Sequence, residues 1–275
     1  MIDDRHLAAA GRPKAEGIDT VAPNAARVAD YLNNGRDNFE ADRRAAWAMI
    51  AAAPAMTAIV PAVLAFHQRA VRFLAIEAGI RQFLDVGSGL PSGQSRIEIA
   101  QSVDPACRVV YVDNDPMVLS HVRAFRRSTP QGAFAALDAK LTDPAALISG
   151  SAATLDLRQP VAVLLLSTLP FIQGTARAAG IVAALLRALS PGSYLALCHL
   201  ASDLDPALAA AADDWNRMSS LRVTLRSRAE VAALTAGLEL VEPGLVPVNW
   251  WRPESGAARL DPQVPVHAVL ARKPG

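Results

Sequence analysis

A large excess of charge of either sign is missing from this sequence. Lys and Arg total 27 against 26 Asp and Glu, a formal net charge of +1 with no basic block. Nucleic-acid binding needs a basic patch or stripe, so no nucleic-acid partner is expected. Cysteine is nearly absent. Cys107 and Cys198 are the only two, and they have neither a metal-site spacing nor a disulfide framework. Both read as small buried hydrophobes, Cys107 just before a strand and Cys198 inside one. Five histidines, His6, His67, His121, His199 and His267, are scattered; none falls into a paired ligand spacing, so no metal is expected. Long apolar runs are lacking too. The longest, such as VAVLLL at 161–166, have strand length and are too short to cross a bilayer. The stretch MIDDRHLAAAGRPKAEG lacks the apolar core of a signal peptide. A cytoplasmic protein without a membrane partner is expected. What the chain does have is apolar mass. It is 52% hydrophobic and 19% charged over 275 residues, enough for one large domain or a domain with a cap.

Residues 1–17 show no hydrophobic period and read as a disordered tail. Residues 18–78 read as an N-terminal helical cap. A helix runs from about Ala25, a Gly/Asn break falls at 33–35, and a second helix ends at Pro54. A third covers roughly 55–78, with Ile59, Val63, Phe66, Val71 and Leu74 at helical spacing and Pro61 in its first turns. From 81 onward strands and helices alternate. Strands are predicted at 81–86, 108–113, 132–137, 160–166 and 193–199. Helices are predicted near 95–103, 116–127, 143–149 and 175–189. Ser95 with Glu98 forms a capping-box pattern, and Asp115 before Pro116 is an N-cap followed by proline at the first helical position. Such alternation implies an α/β fold with a parallel, doubly wound sheet. Near the C-terminus it stops. Helices near 205–219 and 227–236 lead to two strand-like runs, 238–248 and 264–273, joined by a Trp/Pro/Gly-rich loop. An antiparallel pair is expected to close the sheet there.

The chemistry concentrates at the predicted strand ends. The first strand runs into Gly87-Ser88-Gly89, a turn whose glycines let backbone N–H groups approach a ligand. Asp113 ends the second strand, one βαβ unit later, where two carboxylate oxygens match two ribose hydroxyls. The third glycine of a dinucleotide fingerprint is absent, since Leu90-Pro91 follows. That loss matters less to a cofactor without a pyrophosphate. The pattern therefore fits S-adenosylmethionine better than NAD or FAD. Asp85, in the first strand, is costly to bury unpaired and is a candidate partner for a cofactor ammonium. Asp138 ends the third strand and faces either the adenine amino group or a plain turn. Ser88, Asn114, Ala139 and Ser167 complete the expected cofactor-binding set. Ser167 opens the loop STLPFI, whose Phe171 offers apolar surface to a substrate. His199, at the end of the fifth strand, is the candidate general base. Tyr31, Arg36 and Asn38, in the break between the first two helices, read as part of a lid with substrate contacts. Trp250 is a further substrate candidate in the C-terminal loop.

The runs IDTVAPNAARVADYLNNGRDNF, FLDVGSGLP, RVVYVDNDPMVL, PVAVLLL, GSYLALCH and RAEVAALTAGLELVEPGLVPVNWWRP resemble the actinobacterial S-adenosylmethionine-dependent methyltransferase family known as DUF574, over about residues 18–273. The resemblance implies a class I, Rossmann-like methyltransferase sheet at 79–275 with the helical cap at 18–78. It also implies cofactor contacts at Asp85, Gly87, Gly89, Asp113 and Asp138. This chain departs from the family where Asn34-Gly35-Arg36-Asp37-Asn38 replaces Gly-Gly-Lys-Asp-Asn. Pro170 and Ile97 also stand where the family usually has histidines. The expected activity is methyl transfer to a small molecule, in secondary metabolism. The alternatives are non-methyl chemistry with the same cofactor, such as aminocarboxypropyl transfer or a cyclisation, and a catalytically silent cofactor-binding protein. The sequence sets no oligomeric state.

Overall fold

The computed structural model describes residues 18–91, 93–253 and 263–275; the expected tail at 1–17 lies outside them. Three helices come first: α1 (Ala25–Leu32), α2 (Glu40–Ala52) and α3 (Met56–Ile76). Then β1 (Gln82–Val86), α4 (Arg96–Val103), β2 (Arg108–Asp113), α5 (Pro116–Phe125), β3 (Ala133–Asp138), α6 (Pro144–Ser151), β4 (Ala162–Leu166), α7 (Thr175–Arg187) and β5 (Tyr194–Leu200) alternate as the sequence predicts. The chain closes with α8 (Ala207–Met218), α9 (Arg228–Ala233), β6 (Glu239–Leu240), β7 (Val246–Pro247) and β8 (Val266–Arg272). The expected strand at 238–248 is two short pieces, because a turn at Pro243-Gly244, with Gly244 at φ +79°, interrupts it. Both pieces pair antiparallel with β8.

Local chemistry explains most element ends. Ser95 and Glu98 form the capping box of α4, and Asp115 caps α5 with Pro116 following. Asn24 caps α1 through its side-chain oxygen. Pro61 sits inside α3 rather than at its start; the helix continues with one backbone bond missing. α3 is the described helix long and apolar enough, by length and composition, to cross a membrane. Here Phe66, Ala70, Val71 and Leu74 on it are buried, and it packs on α4 and on the 3-10 turn Val248–Trp250.

The sheet order is β3-β2-β1-β4-β5-β8-β6, with β7 also on β8. Strands β1 to β5 are parallel, and β8 runs antiparallel beside β5. Alternate residues feed two cores. Phe83, Val109, Leu164 and Ala196 face α3, α4 and α8, while Leu84, Val110, Val163 and Leu195 face α7 and α9. This period of two makes a three-layer sandwich. It buries the strands on both sides, as parallel sheets require.

Candidate active site

The chain runs outward from β1 to β3 and then returns beside β1 as β4. That reversal opens a crevice at the carboxyl ends of the strands. A cavity of about 820 Å³ occupies it, within the ~300–1,000 Å³ range of small-ligand sites. The strand ends supply Gly87, Ser88, Gly89, Asp113, Asn114, Ala139, Lys140, Ser167 and Thr168 to its wall. The helices supply Asp30 from α1, His67 from α3, Arg96 from α4 and Trp215 from α8.

The glycine turn has a steric cause. Gly87 lies at φ +72°, and a Cβ there would meet Thr168 Cγ2 at 1.9 Å. Gly89 lies at φ +65° with open space where a Cβ would be. Its N–H donates to Asp113 Oδ2 at 3.1 Å. The other oxygen of Asp113 accepts from the amides of Asn114 and Asp115 at 2.9 and 3.0 Å. Burial pushes the Asp113 carboxyl above the usual carboxylate range, against the pull of these amides. A diol donating to that carboxylate would offset its lost hydration. Ser167 is also strained, at φ +63°. Its N–H donates to the Cys198 carbonyl at 3.1 Å. Burial pushes the Cys198 thiol up to about 12, so it stays an inert thiol.

The helical cap is tied to the strand ends. Asn24 Nδ2 donates to Asp115 Oδ2 at 2.7 Å. Asp42, fully buried on α2, accepts from the N–H groups of Asn24 and Phe39 and pairs with Arg27 Nε, each at 2.8 Å. The break after α1 closes on Asp30. Its Oδ2 accepts from the Asp37 amide at 2.9 Å and from Asn38 Nδ2 at 2.8 Å. Asn34 takes the positive φ, at 59°. Gly35 is needed for room, since a Cβ would meet Asp30 Oδ1 at 1.9 Å.

The structure brings Gly87, Ser88, Gly89, Asp113, Asn114, Ala139, Ser167 and Phe171 together on the cavity wall. It places the other expected site residues elsewhere. His199 is fully buried behind the wall. Arg226 Nη1 donates to its Nε2 at 2.6 Å, so Nδ1 carries the hydrogen toward the Leu200 carbonyl at 2.9 Å. Burial holds this histidine at about 4. With both nitrogens committed away from the cavity, it has no substrate proton to take. Asp85 points under the turn and lies 2.9 Å from Arg96 Nε, because its strand parity directs it toward α4. Asp138 is exposed, and residues 139–142 form the wall in its place. Tyr31 accepts a hydrogen bond from Trp47 Nε1 at 2.6 Å, Arg36 is exposed, and Asn38 holds the loop on Asp30 rather than meeting the cavity. Trp250 lies in the 3-10 turn against α3, off the cavity wall. The two departures from the family pattern also separate: Pro170 lines the cavity, whereas Ile97 is in the core.

Sequence reasoning missed His67, Arg96 and Thr168. His67 Nε2, Thr168 Oγ1 and Ser88 Oγ are buried without a hydrogen-bond partner, Arg96 is ion-paired with Asp85, and all four residues line the cavity. In the sequence Arg96 is part of the capping signal at 95–98. His67 reads from the sequence as a surface or satisfied core residue.

These features fit S-adenosylmethionine. Asp113 suits a ribose, and the orphaned polar atoms call for a polar ligand. The start of α4 is closed to a pyrophosphate. The Glu98 amide donates to Ser95 Oγ at 3.2 Å, the Ser95 amide to Glu98 Oε2 at 2.9 Å, and the Ile97 amide to Tyr111 Oη at 3.0 Å. The helix-end donors that would cradle a phosphate are already used, beside a carboxylate. Among the described residues, no group of three or more His, Cys, Asp or Glu side chains could hold a metal ion.

A family model described as S-adenosyl methyltransferase matches residues 11–274. A DUF574 family protein from Streptomyces avermitilis is 39% identical over 93% of this chain and 99% of its own, with a TM-score of 0.89. A candidate methyltransferase from Thermobifida fusca is 36% identical over 94% of this chain and 98% of its own, with a TM-score of 0.87. No curated protein matches the chain. The strand-end glycine turn, the ribose-ready Asp113 and the phosphate-free helix start thus agree with the match over nearly the whole chain: it belongs to the S-adenosyl methyltransferase family, enzymes that use S-adenosylmethionine.

Proposed function

We propose that this enzyme methylates a small, largely apolar molecule of the kind made in secondary metabolism. The observation that carries the reading is the cavity's second half. Beyond the strand ends it is lined by Met49, Met56, Ile59, Leu208, Phe171 and Trp215. The Phe171 and Trp215 rings lie 6.3 Å apart, and α2 packs on α8 beside them. The charged wall residues come instead from the strand ends, α1, α4 and the segment before α1. An acceptor in this half trades water for apolar side chains at about 25 cal/mol per Å² buried.

Bound, S-adenosylmethionine supplies an electrophilic methyl group. Asp113 and the turn at 87–89 would hold its adenosine. The helical cap and α8 would exclude water and hold the acceptor in line. Orientation of this kind is worth several kcal/mol of barrier, so the acceptor half needs no dedicated base.

Two measurements test the reading. Asp113→Ala should weaken calorimetric binding of S-adenosylhomocysteine by about 1.5–3 kcal/mol, as for a charged hydrogen bond. Incubation of the wild type with S-adenosylmethionine and a panel of phenolic and indolic acceptors should yield a methylated product and S-adenosylhomocysteine. Methylthioadenosine as coproduct would instead establish aminocarboxypropyl transfer or cyclisation. Binding without turnover across the panel would favour a silent cofactor-binding protein.

A further inference from the structure

We infer that Arg226 is a positioning residue for methyl transfer: from inside the protein its guanidinium fixes the segment between β4 and α7, and so stands Phe171 beside Trp215 on the wall of the acceptor half. The inference rests on the reading of that half as the acceptor's place and names the residue that shapes it.

Arg226 is anchored at both ends. Its backbone joins the end of β5 through a parallel bridge to Ala201. Its N–H donates to the Leu200 carbonyl at 3.2 Å, and its carbonyl accepts from the Ser202 N–H at 3.1 Å. Its side chain is fully buried, and every nitrogen of the guanidinium has a partner. Nη1 donates to the Leu169 carbonyl at 3.0 Å, Nη2 to the Ile172 carbonyl at 2.7 Å and Nε to Thr175 Oγ1 at 3.3 Å. A further bond from Nη1 goes to His199 Nε2 at 2.6 Å. All but the histidine belong to residues 169–175, the connection from β4 into α7.

These partners are all neutral. A buried charge loses its hydration, and neutral acceptors offset that less than a carboxylate would. Glu230, whose charge Arg226 feels, is linked to it through Thr175, whose hydroxyl accepts from Arg226 Nε and donates to Glu230 Oε1 at 3.1 Å. A hydrophobic residue of similar volume is often no less stable in such a place. What it lacks is a planar fork of donors that bridges two carbonyls. The guanidinium is therefore suited to holding a shape rather than to adding stability.

The bridged segment needs a hold from outside. Ser167 leaves β4 at φ +63°, and a single 3-10 turn, Leu169–Phe171, follows; such a turn has poor hydrogen-bond geometry of its own. Residues 222–226 lie along it as a strap. The Thr224 N–H donates to the Pro170 carbonyl at 2.8 Å, Thr224 Oγ1 to Gln173 Oε1 at 2.8 Å, and Gln173 Nε2 to the Arg222 carbonyl at 2.9 Å. The same strap is tied to α8. Asn216 Nδ2 donates to the Val223 carbonyl at 3.1 Å, and Asn216 Oδ1 accepts from the Val223 N–H at 2.7 Å. Phe171 on the turn and Trp215 on α8, with rings 6.3 Å apart, are thus held in one frame. Val223 and Leu225 of the strap also line the cavity. The cofactor half is held separately, by the amides on Asp113 and by the Ser167 N–H on the Cys198 carbonyl. A fault at Arg226 therefore falls on the acceptor.

The test compares Arg226→Met, which keeps the bulk and removes the donors, with Arg226→Lys, which keeps a donor but no planar fork. Amide hydrogen exchange at residues 168–173 should rise in Arg226→Met and return part of the way in Arg226→Lys. Calorimetry on the full chain then uses two probes: S-adenosylhomocysteine for the cofactor half and, with that half saturated, 2-naphthol for the acceptor half. Arg226→Met should weaken 2-naphthol ~3–10-fold, the range for a lost neutral hydrogen bond, and leave S-adenosylhomocysteine within about twofold. With any acceptor that the wild type turns over, the acceptor KM should rise and kcat fall while the KM for S-adenosylmethionine stays put. Unchanged exchange at 168–173, equal weakening of both probes, or looser exchange with unchanged 2-naphthol affinity overturns the inference. Should Arg226→Met fail to fold, Gln173→Ala, at an exposed position, cuts the strap from outside and carries the same comparison. A wild type that binds S-adenosylhomocysteine but not 2-naphthol counts against the apolar-acceptor reading, whereas the exchange result still decides whether Arg226 holds the segment.

Discussion

Replacing Gly87 with alanine separates two costs that the structure assigns to one position. The first is conformational. Gly87 sits at φ +72°, and an L-residue in the left-handed region costs roughly 1–2 kcal/mol. The second is space. The new Cβ would lie 1.9 Å from Thr168 Cγ2, and relief of such overpacking costs typically ~1–3 kcal/mol. Gly87→Ala alone should therefore lose about 2–5 kcal/mol of stability. Thr168→Ser deletes Cγ2 and leaves Thr168 Cβ, at 3.2 Å, as the nearest atom of that side chain. In that background Gly87→Ala should cost only the conformational ~1–2 kcal/mol. Gly89→Ala is the control, with φ +65° and nothing within 4 Å; it should cost the conformational part in either background. The assay is urea unfolding of the variants, followed by tryptophan fluorescence, with the coupling taken from the double-mutant cycle. Equal cost of Gly87→Ala with and without the Thr168 methyl would refute the claim that this methyl closes the turn.

Two further predictions follow from buried groups away from the cavity. His199 is held at about 4, chiefly by burial and further by Arg226 and His267. The unfolded chain binds its proton near 6.5, so stability present above about pH 6.5 should fall by ~1.4 kcal/mol per pH unit on acidification, until the folded histidine itself titrates near 4. His199→Gln should flatten that slope in urea titrations between pH 7 and pH 4.5, and an unchanged slope would show that the histidine contributes nothing to it. Asp42→Ala strands the buried Arg27 guanidinium and two backbone N–H groups. It should destabilise by ~3–5 kcal/mol, read as a shift in urea midpoint; a change within experimental scatter would mean that the pair does not anchor the cap.

Much of the fold was legible in the sequence because its signals are short-range. Alternating apolar residues at 83–86 and 109–112 divide between two cores whatever lies beyond them. The capping boxes at Ser95–Glu98 and the Asp115-Pro116 start act within a single helical turn. Gly87 and Asp113 were legible for a similar reason: a turn and a strand end constrain residue type locally. Side-chain destinations were not legible, since they depend on partners far along the chain. Strand parity sends Asp85 toward α4 and His199 toward the opposite layer, but their partners Arg96 and Arg226 are set by packing. Tyr31 and Asn38 carry polar groups in a loop, yet Trp47 and Asp30 satisfy them before any ligand could.

By itself the sequence determined the layered sheet, the strand-end turn and the acidic residue at the end of β2, because each follows from backbone periodicity and local hydrogen bonding. Only the tertiary structure decided which polar groups meet at the cavity. Docking α3 on α4 brings His67 and Arg96 to the cavity, and the turn after β4 sets Thr168 against Gly87. Those neighbours come from distant parts of the chain, so their meeting exists only once the chain has folded.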